Sequence, residues 1–191
     1  MKRGSNKLIS TTKDGVPYSL GDVVRVMEMS DNEAYATILS IKASKRTLCN
    51  LQVRWFYKPG DVFSAGSAPS FISSRELFDS NHLDTIPLSS ITGKVGVLTF
   101  DEFFSCDIYD PDTFFTRAKC DCRQQLKLSP SLLDWPKGCT CSQVINPDLT
   151  YYKCLSCFSA YHVSCISSMS DCPSCGAGVL SYKGSPVLMN R

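Results

Sequence analysis

Residues 139–175 read CTCSQVINPDLTYYKCLSCFSAYHVSCISSMSDCPSC, and the spacing inside this stretch decides how the carboxy-terminal third folds. Its metal-ligating residue types fall in pairs: Cys139-x-Cys141, Cys154-x-x-Cys157, His162-x-x-Cys165 and Cys172-x-x-Cys175. Ligands two or three residues apart let one tight turn aim two donors at one ion, and a tetrahedral site needs two such pairs. Four pairs therefore make two closed zinc sites with no position left for a bound water, and closed sites are structural. In so short a segment the two ions replace a missing apolar core. Buried thiols scattered beside an unrelated histidine would not fall into such pairs. Cys120-x-Cys122 is a competing pair, while Cys49 and Cys106 read as small packed side chains.

Working outward, 191 residues with 43% apolar and 20% charged side chains allow one medium domain or two small ones and exclude a disordered or collagen-like chain. No apolar run approaches the ~18–20 residues of a membrane span. The start, MKRGSNKLISTTKDG, is basic but lacks the apolar stretch of a secretory signal, so a soluble intracellular protein is expected. An odd total of 11 cysteines fits a disulfide framework poorly, and in a reducing compartment clustered thiols usually hold metal. The formal charge of +2 is concentrated at the start, with four basic and one acidic side chain in residues 1–14. That is not the balance of a polybasic nucleic-acid binder.

Residues 1–16 read as a flexible basic tail. From Gly21 the pattern turns β-rich: VVRVMEM alternates, AYATILSI follows the turn-like SDNE, and TLCNLQVRWFY is a third run. KPGDVFSAGSAPS is a loop, SRELFDS suits a short helix capped by Ser73 or Ser74, and GKVGVLTF and FFTRAKCDC are further strands. Short strands separated by turn signals suggest a partly closed β-barrel or sandwich, followed by the proline-bearing connector LKLSPSLLDWPKG and the cysteine cluster. Residues 179–191 read as a carboxy-terminal tail.

The order of four cysteines, one histidine and three cysteines resembles a PHD finger, here over residues 136–178. In that family the pairs interleave. The resemblance implies that Cys139, Cys141, His162 and Cys165 hold one zinc, and Cys154, Cys157, Cys172 and Cys175 the other. Only six residues separate Cys165 from Cys172, fewer than is usual in the family. Methyl-lysine-binding members carry a tryptophan where this chain has Ala160 and often a tyrosine where it has Ile145, although Tyr151 stands where it could line a cage. The resemblance thus implies a finger without a working cage.

Before it, VRWFYKPGDV, SRELFDSNHLDTIPLSSITGKVGVLTF and DTFFTRAKCD resemble a BAH domain, spanning residues 17–128. The expected architecture is mainly β: a BAH-type distorted β-barrel followed by a small, two-zinc, cross-braced PHD-type finger. It is similar to small plant histone readers of the EBS/SHL type, whose BAH domain holds a trimethyl-lysine in an aromatic cage. Trp55 and Tyr57 match two cage walls, and as i and i+2 of a strand they leave the same face. The third wall aligns with Ala34, with Tyr35 one step away; either a bulge restores Tyr35 to the cage or the cage is incomplete. His82 and Asp84 match the loop flanking the peptide, and Asp84 would attract a cationic head group.

The resemblance implies a non-catalytic nuclear reader or adaptor in gene silencing, with a histone tail and other chromatin proteins as partners, two zinc ions, no membrane and no strong direct nucleic-acid binding. Two alternatives stay open. One is an interaction scaffold whose cages have decayed, favoured by Ala34, Ile145 and Ala160. The other is a RING-like ubiquitin ligase, suggested by the short Cys165–Cys172 spacer and opposed by the histidine in fifth place.

Overall fold

Alternating apolar and polar residues carry much of this chain into strands, which outweigh its helices. A computed structural model describes residues 6–27, 32–43, 49–106, 110–166, 171–176 and 180–183. In order the elements are β1 (Asn6–Leu8), β2 (Ser10–Lys13), β3 (Val16–Ser19), β4 (Val23–Met27), β5 (Glu33–Ala43), β6 (Cys49–Tyr57), α1 (Pro59–Val62), β7 (Phe78–Pro87), β8 (Ile91–Lys94), β9 (Gly96–Thr99), α2 (Phe100–Ser105), β10 (Thr113–Thr116), β11 (Lys119–Asp121), β12 (Lys127–Ser129), β13 (Tyr151–Cys154), β14 (Ala160–His162), α3 (Val163–Ile166) and β15 (Leu180–Lys183). No described helix is long and apolar enough to cross a membrane.

One sheet dominates, in the order β12-β11-β7-β6-β5-β4-β8, with β1 added along the far part of β5. Period-2 patterning turns Val24, Val26, Ala36, Ile38, Leu51 and Val53 to one face, where they bury against Tyr18, Ile86 and Ile91. The opposite face of the same strands buries Tyr35 and Phe56 with Leu77 and Val95, against Phe114 of the parallel β9–β10 pair. Covered on both sides, β5 and β6 form the rigid centre.

Three expectations need correction here. The stretch read as a flexible tail is structured from Asn6: β1 pairs with β5, and β2 pairs with β3. An Asp14-Gly15 turn joins that hairpin, with both residues at positive φ, and Asp-Gly is a strong hairpin signal. At the other end, Leu180–Lys183 is no tail but a strand paired with β13, because its register sets Tyr182 against Tyr152 at the sheet's surface. Residues 1–5, 179 and 184–191 lie outside the described residues. Finally, the helix expected over SRELFDS is a turn that runs into β7. Glu76 makes a parallel bridge to Phe115 instead.

Glu76 explains why that turn is held. Its carboxylate, wholly buried, receives Arg117 Nε and Nη2 at 2.7 Å each. The guanidinium lies 4.3 Å from the Trp135 ring and 4.6 Å from that of Phe100, and also donates to the carbonyls of Phe71 and Ile145. Trp135, from the connector, is itself buried beside Phe78, Ile72 and Val144. One cation thus joins the turn before β7, helix α2, the connector and the start of the cysteine-rich segment.

That segment is seated by further contacts. Asp148 accepts from Ser73 Oγ and the Ser74 N–H, both at 2.6 Å, and Asn146 Nδ2 donates to the Ser70 carbonyl at 2.7 Å. Phe104 of α2 stacks on Tyr151 with ring centroids 5.0 Å apart, and Lys153 Nζ donates to the Phe104 carbonyl.

Candidate functional site

Two constellations could carry function. The first gathers the cysteines and His162. Hairpin β13–β14 positions Cys154 at the end of one strand and His162 at the end of the other. Helix α3 then carries Cys165, while turns carry Cys139 with Cys141 and Cys172 with Cys175. The outcome is two sets whose donor atoms all lie within 4.8 Å of one another: Cys139, Cys141, His162 and Cys165, and Cys154, Cys157, Cys172 and Cys175. No cysteine is in a disulfide.

The spacing of these donors fits zinc. Bonds of ~2.3 Å to sulfur at a tetrahedral angle put two sulfurs ~3.8 Å apart. Cys154 and Cys175 stand at 3.8 Å, and Cys157 and Cys172 at 3.6 Å. In the other set His162 turns its Nδ1 toward Cys141 Sγ at 3.4 Å, close to the ~3.6 Å expected between nitrogen and sulfur on one zinc.

The surroundings favour the thiolate at Cys172 and Cys139, while the hydrogen bond with Cys139 raises Cys165. Burial pushes the Cys172 thiol up, but the Tyr161 hydroxyl and the N–H groups of Cys175 and Ser174 outweigh it and bring it down to about 6. Burial likewise raises Cys139, and hydrogen bonds from Cys141 and His162 lower it to about 6. Cys120 and Cys122 stand apart from both sets. Cys120 is pushed up to about 11, by burial first and then by the neighbouring Cys122, and Cys122 Sγ rests on Asn81 Oδ1 at 2.8 Å.

The second constellation is an open pocket of about 480 Å³ lined by Ala34, Trp55, Phe56, Tyr57, Asp61, His82, Asp84 and Leu126. Trp55 and Tyr57 leave one face of β6, where Trp55 packs on the edge of the sheet's core and Tyr57 on the cluster around Trp135. Opposite them β7 is bulged. Arg54 pairs with Leu83 and Phe56 with Asp79, so Ser80, Asn81 and His82 all span the single residue Trp55. Ser80 Oγ fixes the bulge by donating to the Trp55 carbonyl at 2.6 Å and accepting from the His82 N–H at 3.0 Å. His82 Nδ1 then meets the Tyr57 hydroxyl at 3.2 Å, with the two rings edge to face. Burial, followed by the nearby thiols of Cys122 and Cys120, raises the Tyr57 pKa and keeps the phenol protonated.

Four of the five expected pocket residues therefore meet: Trp55, Tyr57, His82 and Asp84. Tyr35 does not. The β4–β5 ladder is unbroken from Glu33 to Thr37, and on β6 Tyr35 pairs with Phe56 and Ala36 with Trp55, so no bulge turns Tyr35 over. Its ring is buried against Phe114 at 4.5 Å, its hydroxyl donates to Glu33, and Ala34 faces the pocket in its place.

Asp61 and Leu126 escaped the sequence reading. Asp61 comes from the first turn of α1, where it accepts from the Lys58 N–H at 2.7 Å. The Lys58-Pro-Gly-Asp run, a turn opening on proline, carried a local signal for it. Leu126 has φ +59 and follows Gln125 at φ +51 in the turn between β11 and β12. The left-handed region is costly for a branched side chain, and here it brings a leucine to the pocket wall.

Tyr151, Ile145 and Ala160, the positions tied to a cage on the finger, are all buried, with Phe104 lying over Tyr151. No aromatic cage opens there among the described residues.

A family model of the BAH domain matches residues 16–129. Over 169 residues the chain is 25% identical to the chromatin remodeling protein EBS of Arabidopsis thaliana, covering 86% of this chain and 65% of that protein. It therefore spans a little under two thirds of that relative's length. Among solved structures, the yeast Rsc2 BAH domain is similar with a TM-score of 0.49 at 12% identity, over 61% of this chain and 51% of that one.

Proposed function

This chain belongs to the BAH domain family, and from that premise we propose that it is a non-catalytic, nuclear chromatin reader that binds a histone tail through the pocket on β6 and β7. The observation that carries this reading is the pocket itself: Trp55 and Tyr57 on one face of β6, the His82 imidazole and two carboxylates, with the Phe56 ring buried on the sheet's other face and no lysine or arginine among the lining residues. A lysine side chain entering it would set its cationic head against the faces of Trp55 and Tyr57, and methylation favours that contact by stripping the head group of tightly held water. Asp61 and Asp84 add Coulomb attraction that strengthens as the peptide excludes solvent. His82, tied to Tyr57, walls the side from which the peptide would enter. The near-neutral chain does not repel a basic tail, and likeness to a plant chromatin remodeling protein supports a place in transcriptional regulation, including silencing.

The finger's part in this reading is structural. Cys139, Cys141, His162 and Cys165 would hold one zinc, and Cys154, Cys157, Cys172 and Cys175 the other. Bound zinc supplies a cross-link and leaves no coordination position for a substrate. The chain's own residues then use that frame to seat Asn146 and Asp148 on the BAH domain.

The test is a titration of methylated and unmodified histone-tail peptides into the wild type and Trp55→Ala. Methyl-dependent binding that falls about tenfold or more in the variant is expected. Equal binding of every peptide by both proteins would remove the pocket from the account.

A second reading, a scaffold binding other chromatin proteins, is favoured by Ala34 in place of a third ring and by the buried Tyr151. It predicts no peptide dependence on Trp55. A RING-like ligase would instead stimulate discharge of ubiquitin from a charged conjugating enzyme.

A further inference from the structure

The pocket sets two aromatic walls, Trp55 and Tyr57, and the His82 imidazole beside two carboxylates, and this bears on which cation it takes. Resting on the reading of this pocket as a methyl-lysine site, we propose that it selects a mono- or dimethylated lysine over a trimethylated one.

A trimethylammonium head has no N–H. It presents only methyl groups, and its binding energy comes from aromatic faces arranged around it. Here one side of the enclosure is missing. Ala34 offers a single methyl where a ring would stand, and the unbroken ladder through Tyr35 leaves that ring on the far face of the sheet. Trp55 and Tyr57 cover two sides, the His82 imidazole stands edge-on to Tyr57, and the Phe56 ring is buried on the other face of the sheet.

The remaining walls are acceptors. Asp61 uses one oxygen to receive the Lys58 N–H, and Asp84 uses one to receive the Thr85 N–H at 2.6 Å. Among the described residues no hydrogen bond reaches the second oxygen of either carboxylate, and no basic side chain pairs with them. A mono- or dimethylammonium keeps at least one N–H and can donate it to such an oxygen, forming a charge-assisted bond. A trimethylated head strips water from the same carboxylate and returns no hydrogen bond, which is how polar sites reject an analogue lacking the donor. An unmethylated head keeps its donors but holds its water more tightly and gains less from the rings. The window between the two extremes is the lower methylation states.

The site is stiff enough to discriminate. The Ser80 hydroxyl pins the bulge that carries His82, His82 braces Tyr57, and Leu126 closes one flank. A pocket that reshaped itself around any head group would not read methylation state.

The experiment uses the full zinc-loaded chain and histone H3 and H4 tail peptides, each carrying one lysine in its un-, mono-, di- and trimethylated forms. In the peptide series that binds, the preferred lower-methylated form is expected to bind about five- to tenfold tighter than the trimethylated form. Asp84→Asn should compress that ratio to about twofold or less, and Ala34→Tyr, which restores a ring at a part-exposed position, should shift preference toward the trimethylated form. Trimethyl-lysine binding as tightly as or more tightly than the lower forms in the wild type overturns the proposal and leaves the methyl-lysine reading intact. Binding independent of methylation state, or unaffected by Trp55→Ala, overturns that reading and the proposal with it.

Discussion

The finger and the pocket gather chemical groups by opposite means. In the finger every donor comes from one stretch, Cys139 to Cys175, and each pair spans at most four consecutive residues. In the pocket the walls come from Ala34, from Trp55 and Tyr57, from Asp61, from His82 and Asp84, and from Leu126, on three strands, a short helix and the turn between β11 and β12. The first arrangement is specified by local spacing and has the donor set that a metal would complete. The second exists only once the strands are registered, so its composition hangs on parity and on one bulge. The contrast teaches that a metal centre can survive large changes in its surroundings, while a site shared among strands cannot.

The largest effect should follow removal of zinc. Structural zinc contributes roughly 10 kcal/mol or more of apparent binding free energy in small fingers. A strong chelator should therefore release two zinc ions per chain and abolish amide-exchange protection in β13 and β14, while β5 and β6 stay protected. Loss of protection in β5 and β6 at the same rate would break the contrast, by showing that barrel and finger unfold as one unit.

Next is the buried hub. Arg117→Ala strands the Glu76 carboxylate in a site with no exposure and should cost about 3–5 kcal/mol, read from the urea midpoint. Replacing both, Glu76→Leu with Arg117→Met, should recover most of that loss, since removing both charges avoids the uncompensated one. A single-variant loss below about 1 kcal/mol would mean that the pair is solvated in solution.

The smallest of the three is Asp148→Ala. It frees Ser73 Oγ and the Ser74 N–H, and should cost about 1–2 kcal/mol. A sharper readout is the order of events: the finger should come off the BAH surface at lower denaturant than in the wild type, with both zinc ions still bound. Simultaneous loss would place the seat's strength elsewhere.

Much of this was legible in the residues, for physical reasons that differ by region. The metal pairs were readable because ligand geometry is a matter of two or three residues, and the shared face of Trp55 and Tyr57 follows from strand periodicity alone. The fate of Tyr35 was not, since choosing between Ala34 and Tyr35 required knowing whether a bulge intervened. The ladder shows none, so Tyr35 stays on the face opposite Trp55 and Tyr57. Arg117 and Glu76 lie 41 residues apart with no local signal to join them. The opening hairpin, by contrast, was announced by Asp14-Gly15 and overlooked because the basic composition around it read as a tail.

The bulge on β7 has a consequence of its own. Three residues there span one on β6, an excess of two, and an even excess leaves the alternation of the downstream strand in phase. Deleting one of Ser80, Asn81 or His82 would invert that phase and send Asp84 to the back of the sheet, while Trp55 and Tyr57 kept their places. Deleting two would restore it with a flatter wall. The halves of this pocket therefore run on separate clocks, and a lineage could retune its acidic side by changing length rather than chemistry.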